Sequence, residues 1–252
     1  MHLFFILLFS LSIYSQDSNL TYEKALEHFK SKDYIKSIEI IRELILANGT
    51  KYEYHYLAAH DYWSMLNHKV AISHLQSAIK FKPEDPNAYI DLIKVLSDSK
   101  SYKAALSLCE ESLEKFKENK ELRILQASLL IRFTKYELAL PIIENLKTSA
   151  PTDFRPISLE GQLFFQKKEY DKAEISLKWA ESLNKTEPSI LNNLALVHEQ
   201  LAILYLNKNK VNDAKKFLDQ AIEEIETASK IVNTPSIQEN KKRINELTKK
   251  IK

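Results

Sequence analysis

Positions 34 residues apart in this chain hold the same kind of side chain, and no other feature limits the possible fold as strongly. Tyr34, His68, Tyr102, Tyr136 and Tyr170 form one column. Three residues further on, Ser37, Ala71, Ala105, Ala139 and Ala173 form a second; Ile41, Leu75, Cys109, Ile143 and Leu177 form a third. A fourth, ahead of the tyrosines, holds Ala25, Ala59, Ile93, Ala127 and Gly161. Four columns in one phase mark a repeat, and a repeat of this length implies one supersecondary unit that buries its apolar face only by stacking on its neighbours. Within a unit the apolar spacing is helical: Tyr89, Leu92, Ile93 and Leu96 lie on one side of a helix. Pro83 and Pro151 stand where a helix must stop.

This pattern resembles the tetratricopeptide repeat (TPR), a helix–turn–helix unit with a small residue in its first helix and an alanine in its second. The unit Tyr52–Asp85 matches best, with Ala59, Tyr62, Ala71, Leu75, Ala78 and Pro83 in the motif's places. Five contiguous units cover 18–187. A sixth helix pair, 188–232, follows an offset of seven residues, "PSILNNL", with Ala202, Tyr205, Ala214, Leu218 and Ala221 in the same relative places. The offset is expected to lengthen the pair's first helix to about Ser189–Asn207, with Pro188 at its start. The resemblance implies an all-α fold, a right-handed superhelical solenoid of antiparallel helix pairs. Three departures stand out: Ile93 in the small-residue column, and Lys147 and Glu181 at apolar places in second helices. Looser or shifted packing is expected in those units.

Composition agrees with helices. The chain has two glycines, Gly49 and Gly161. A sheet or barrel needs many special backbone conformations at its turns, so that scarcity argues against one. Basic and acidic side chains nearly balance, 36 against 34, which leaves no field to attract nucleic acid. The single cysteine, Cys109, makes an intramolecular disulfide impossible and sits in a packing column, as a small core residue would.

The two ends differ from the body. An apolar run, Leu3–Ile13, precedes Ser15 and the polar "QDSN", which is the pattern of a signal peptide over residues 1–15, with the mature chain beginning at Gln16 and the protein exported to a periplasm or secreted. A retained anchor is the lesser alternative, because spanning a bilayer takes about 20 apolar residues, more than this run offers. At the other end, 236–252 sets Ile237, Ile244, Leu247 and Ile251 on one face, as a helix capping the last repeat would. Its tail from Asn240 carries six Lys or Arg against one Glu, and a basic amphipathic helix can also make peripheral contact with an anionic membrane.

Chemistry is sparse. "EYHYLAAHDYWSMLNHK", residues 53–69, crowds three histidines among tyrosines and a tryptophan, and His74 follows. His55 and His60 are five residues apart, roughly 140° around a helix, and His68 belongs to the turn column. The four are expected to diverge. No metal-ligand spacing and no nucleophile motif occurs, so no metal site, no cofactor and no catalytic residues are expected.

The resemblance points to a groove instead. In the family, a stripe on the first helices faces a concave surface and contacts ligands. Mapped onto this chain, that stripe holds Tyr22, Phe29, Tyr56, His60, Trp63, Ile90, Lys94, Asp98, Ile124, Ile131, Arg132, Arg155 and Phe165. The family's carboxylate-clamp variety wants Asn and Lys where Tyr56, His60 and Glu121 stand, and is disfavoured. The expectation is a non-enzymatic scaffold that binds a protein or peptide partner through these residues. The alternative is a glycan-binding envelope protein using Tyr56, Trp63 and Phe165 as stacking platforms.

Overall fold

A computed structural model describes residues 21–251; the expected signal segment, the start of the first repeat at Ser18, and Lys252 lie outside them. Among the described residues there are thirteen helices and no strand. They are α1 (Tyr22–Lys30), α2 (Tyr34–Ala47), α3 (Tyr52–Ser64), α4 (His68–Phe81), α5 (Pro86–Asp98), α6 (Tyr102–Lys115) and α7 (Lys120–Arg132). The rest are α8 (Tyr136–Ser149), α9 (Phe154–Gln166), α10 (Tyr170–Leu183), α11 (Pro188–Asn207), α12 (Val211–Ile231) and α13 (Pro235–Ile251). Odd-numbered helices up to α11 are the first of each pair and even-numbered ones the second.

Three of the four sequence columns form the core. Ala71, Ala105, Ala139 and Ala173 are buried, as are Ile41, Leu75, Cys109, Ile143 and Leu177, and Ala25, Ala59, Ile93 and Ala127. Each buried Leu or Ile contributes about 2 kcal/mol of transfer free energy. At Gly161 the crossing leaves no room even for a Cβ, which would stand 2.5 Å from Leu177 Cγ and 2.9 Å from its Cδ2.

The turn inside every pair is the same device. The first helix ends with a residue at positive φ: Lys32, Leu66, Lys100, Thr134, Lys168 and Asn209, with φ between 56° and 65°. In each, the following N–H reaches back five residues. Asp33 N bonds to His28 O at 2.8 Å, Lys135 N to Leu130 O at 2.9 Å, and Lys210 N to Tyr205 O at 2.9 Å. That is a Schellman cap, which satisfies carbonyls the helix leaves orphaned. Such positions favour glycine, and here none is glycine. Glycine scarcity therefore does not report an absence of left-handed backbone in this chain; the all-helical conclusion holds, but on the repeat. Aspartate and asparagine start many helices: the side chains of Asp33, Asn67, Asp85, Asn119 and Asp153 accept backbone N–H groups of the first turn.

The chain divides into two compact units, one ending at Ser101 and one beginning at Tyr102. The division falls inside the third repeat, the one carrying Ile93 in the small-residue column. Lys147 departs from its column and finds a buried partner. Its Nζ bonds to Glu160 Oε1 at 2.6 Å, and Glu160, buried, also accepts from Ser176 at 2.8 Å. A paired charge replaces an apolar contact there.

The seven added residues make α11 a 20-residue helix with Pro188 in its first turn, against 13 residues in α9. The extra two turns form a platform. Leu191 and Ala195 of α11 and Ala221, Ile225 and Ala228 of α12 pack with Ile237 and Ile244 of α13. Leu247 and Ile251 of α13 lie against the cluster of Ala202, Ala214 and Leu218. A polar clamp adds direction. Arg243 donates to both oxygens of buried Glu199, at 2.7 and 2.6 Å, and Asn240 donates to Asn192 at 2.9 Å. The apolar face of α13 is thus turned to the protein. Among the described residues no helix is long and apolar enough to cross a membrane.

Candidate functional site

The first unit gathers Phe29, Tyr56, His60 and Trp63 around two carboxylates of α5. Asp91 is the centre of this group. Tyr56 Oη donates to its Oδ2 at 2.5 Å and His60 Nε2 to the same oxygen at 3.0 Å, while Lys94 Nζ lies 3.9 Å from Oδ1. Burial pushes the Asp91 carboxyl up, but the His60 and Tyr56 hydrogen bonds outweigh it and hold the group below its ordinary value. Trp63 Nε1 donates to Asp98 Oδ2 at 2.8 Å. Rings complete the set: His60 lies edge-on to Phe29 and Tyr56, and 5.8 Å from Trp63. Tyr22 packs on the core, its ring tilted against that of Tyr54 with 6.0 Å between centroids. The polar atoms of Tyr56 and Trp63 are therefore committed to the next repeat.

The histidines do not all diverge. His55 and His74 meet with their Nδ1 atoms 3.1 Å apart, and His55 Nε2 lies 3.0 Å from Gly49 O. Since a carbonyl only accepts, His55 Nε2 is the donor there, so its Nδ1 accepts from His74. Burial first, then the His55 charge, lowers His74 to about 4. The pair comes from different helices, α3 and α4, which angular spacing along one helix cannot show. Among the described residues no group of three or more potential ligands is placed to hold a metal.

Ile90 and Ile124 are buried, and neither is among the residues that line the groove described below. They share a column with Tyr22 and Tyr56, and Ser158, also buried, continues it. A tyrosine is long enough to reach out of it; a branched isoleucine is not. Arg155 is engaged as well. It donates to Glu121 Oε2 and to Asp153 at 2.9 and 3.1 Å, and Lys120 Nζ joins Asp153 at 2.6 Å. Cys109 is buried, its thiol pushed up to about 12 by burial, and donates to Leu122 O at 3.3 Å.

The second unit has an open groove of about 400 Å³. Its walls are Ser128, Ile131 and Arg132 of α7, Gln162, Phe165 and Gln166 of α9, Leu177 of α10, and Asn193 and Leu196 of α11. Ile131, mostly buried, gives the groove an edge of its surface; Phe165 is half-buried and packs against Tyr170 at 5.8 Å. Ser128, Gln162, Gln166 and Asn193 make no side-chain hydrogen bond to any described residue. None of these four is a ring or a charge, the side chains that stand out in the sequence. The register held three of them: Ser128 and Gln162 continue the column of His60 and Lys94, and Gln166 continues that of Asp98 and Arg132.

Solved structures resemble this chain over most of its length. A tetratricopeptide repeat protein from Parabacteroides merdae superposes with a TM-score of 0.75 at 13% identity, covering 92% of this chain and 87% of that one. The fold is that of the tetratricopeptide repeat. PilW, a type IV pilus biogenesis factor, matches the TPR array with a TM-score of 0.66 at 11% identity, covering 89% of this chain and 98% of its own. A thermophilic TPR protein from Thermus thermophilus gives 0.57 at 19% identity, over 78% of this chain and 98% of that one. No protein-family model matches the sequence, and no curated protein matches it in sequence.

Proposed function

We propose that this TPR chain is a non-enzymatic interaction module that holds an extended segment of a partner protein in the groove lined by α7, α9 and α11. One observation carries the reading. Three side-chain amides and a hydroxyl without partners stand beside Phe165, Leu196 and Ile131. A peptide backbone offers one donor and one acceptor per residue, and an amide side chain offers both in return. The apolar walls suit the side chains of the same segment. Fold alone would not choose this, since one fold hosts many functions. We further propose export, which the apolar run Leu3–Ile13 before Ser15 supports.

The test is crosslinking in cells followed by mass spectrometry, then purified binding with Phe165→Ala and Gln162→Ala. Phe165→Ala should weaken the captured partner by about 2 kcal/mol while helicity stays nearly intact. Retention on cell-wall material that free sugar reverses would favour the glycan alternative. Affinity equal to the parent's in both variants would refute the groove. Intact mass of protein recovered from the cell envelope should correspond to a chain starting at Gln16.

A further inference from the structure

The groove of the second unit has one charged wall residue, Arg132, and no carboxylate among the residues that line it. Its guanidinium carbon lies over the Tyr102 ring, 4.1 Å from the centroid. That cation–π contact holds in place the end of a long side chain that would otherwise sample many rotamers. Three other arginines of this unit are already paired: Arg123 with Glu118, Arg155 with Asp153 and Glu121, and Arg243 with Glu199. Arg132 makes no hydrogen bond or ion pair to any described residue. It is exposed at the end of α7, beside Ile131 and Ser128 of the groove wall.

We infer that the groove takes an extended protein segment whose Asp or Glu side chain pairs with Arg132. The inference rests on the groove reading above and names the chemistry of its occupant. A guanidinium presents two parallel N–H donors that match one carboxylate, and a pre-oriented one loses less entropy on pairing. A neutral segment would leave those donors to water. The position of Arg132 favours a side chain over a chain terminus. It stands exposed at the rim and lacks a second cation beside it among the groove residues, so the backbone can run past. The amides of Gln162, Gln166 and Asn193 serve that backbone, and Phe165 and Leu196 take an apolar neighbour of the acidic residue.

Two random nonapeptide libraries test this on the full chain: one displayed with a free C-terminus, one embedded between flanking domains. Both should enrich Asp or Glu next to an apolar residue. Arg132→Gln should still select apolar segments but lose the acidic preference, and should weaken the best acidic peptide about tenfold or more. Because Arg132 is exposed, this variant should fold as the parent does, which circular dichroism checks. Tyr102→Leu should weaken the same peptide by a smaller factor, through loss of orientation. Enrichment without acidic residues, equal in parent and Arg132→Gln, would overturn the inference and leave the groove reading standing. Acidic enrichment confined to the free-terminus library would overturn the side-chain assignment. Selection of no peptide at all would defeat both readings.

Discussion

Replacing Leu66 with glycine should stabilise this protein, although it removes a large apolar side chain. Leu66 holds φ at 60° in the cap between α3 and α4, and 77% of it is exposed. A left-handed conformation costs a residue with a Cβ about 1–2 kcal/mol. Glycine removes that cost but adds about 0.4–1 kcal/mol through its freer unfolded chain. At that exposure the side chain contributes little packing. The backbone bonds, Leu66 N to Trp63 O and Asn67 N to Tyr62 O, both 2.8 Å, do not depend on it. The net expectation is a gain of about 0.5–1 kcal/mol. Leu66→Ala is the control, since alanine keeps the Cβ and should be close to neutral. Thr134→Gly should gain more, because a β-branched residue is worse in this region, and Asn209→Gly less, because asparagine tolerates it. Urea denaturation followed by far-UV circular dichroism on the full chain would rank the four variants. A loss of stability in Leu66→Gly, or equal behaviour of Leu66→Gly and Leu66→Ala, would refute the reasoning.

Other sites give predictions of either sign. Gly161→Ala should destabilise: its Cβ would stand 2.5 Å from a fully buried Leu177, and overpacking of about 1–3 kcal/mol exceeds the helix-propensity gain of about 1 kcal/mol. Adding Leu177→Ala to it should cost less than the two single losses summed. Asp61 is fully buried and only its Oδ2 has a partner, the Ser37 hydroxyl at 2.7 Å; desolvation raises its carboxyl to about 6. Because the folded value lies above the unfolded one, its contribution is present in full below about pH 3.9 and is lost as pH rises through about 6. Asp61→Asn should therefore raise stability at pH 7 by up to about 3 kcal/mol and make little difference near pH 4, which denaturation at the two pH values would show. Arg243→Ala should cost about 1–3 kcal/mol by removing the two hydrogen bonds that satisfy Glu199, discounted for the half-exposed arginine. Hydrogen exchange should rise in α13 before α9.

The groove residues show why a repeat pattern reveals some sites and hides others. Arg132 and Phe165 were legible because the 34-residue register carries a position from one first helix to the next. Ile90 and Ile124 come out of the same register but are buried, since one column can hold a tyrosine that reaches solvent and an isoleucine that does not. Which residues lack a partner is not periodic at all. Gln162 and Asn193 are ordinary amides in the sequence, and only their unpaired state in a groove distinguishes them.

Pairings between helices lie further still from the sequence. His198 is fully buried between Glu224, 2.8 Å from Nδ1, and Glu174, 3.3 Å from Nε2. Burial lowers its pKa, but the Glu224 bond and charge, then those of Glu174, outweigh burial and hold the imidazole above its ordinary value. Asp91 likewise collects donors from a helix more than 30 residues away. Helix phase, the length of α11 and the burial of alanine at each crossing follow from local spacing, because a 3.6-residue turn and a 34-residue unit repeat whatever the neighbours are. Which charges find each other, and which polar groups stay open to a partner, depends on distances of about 3 Å between side chains on different helices. Those distances exist only after the helices have packed.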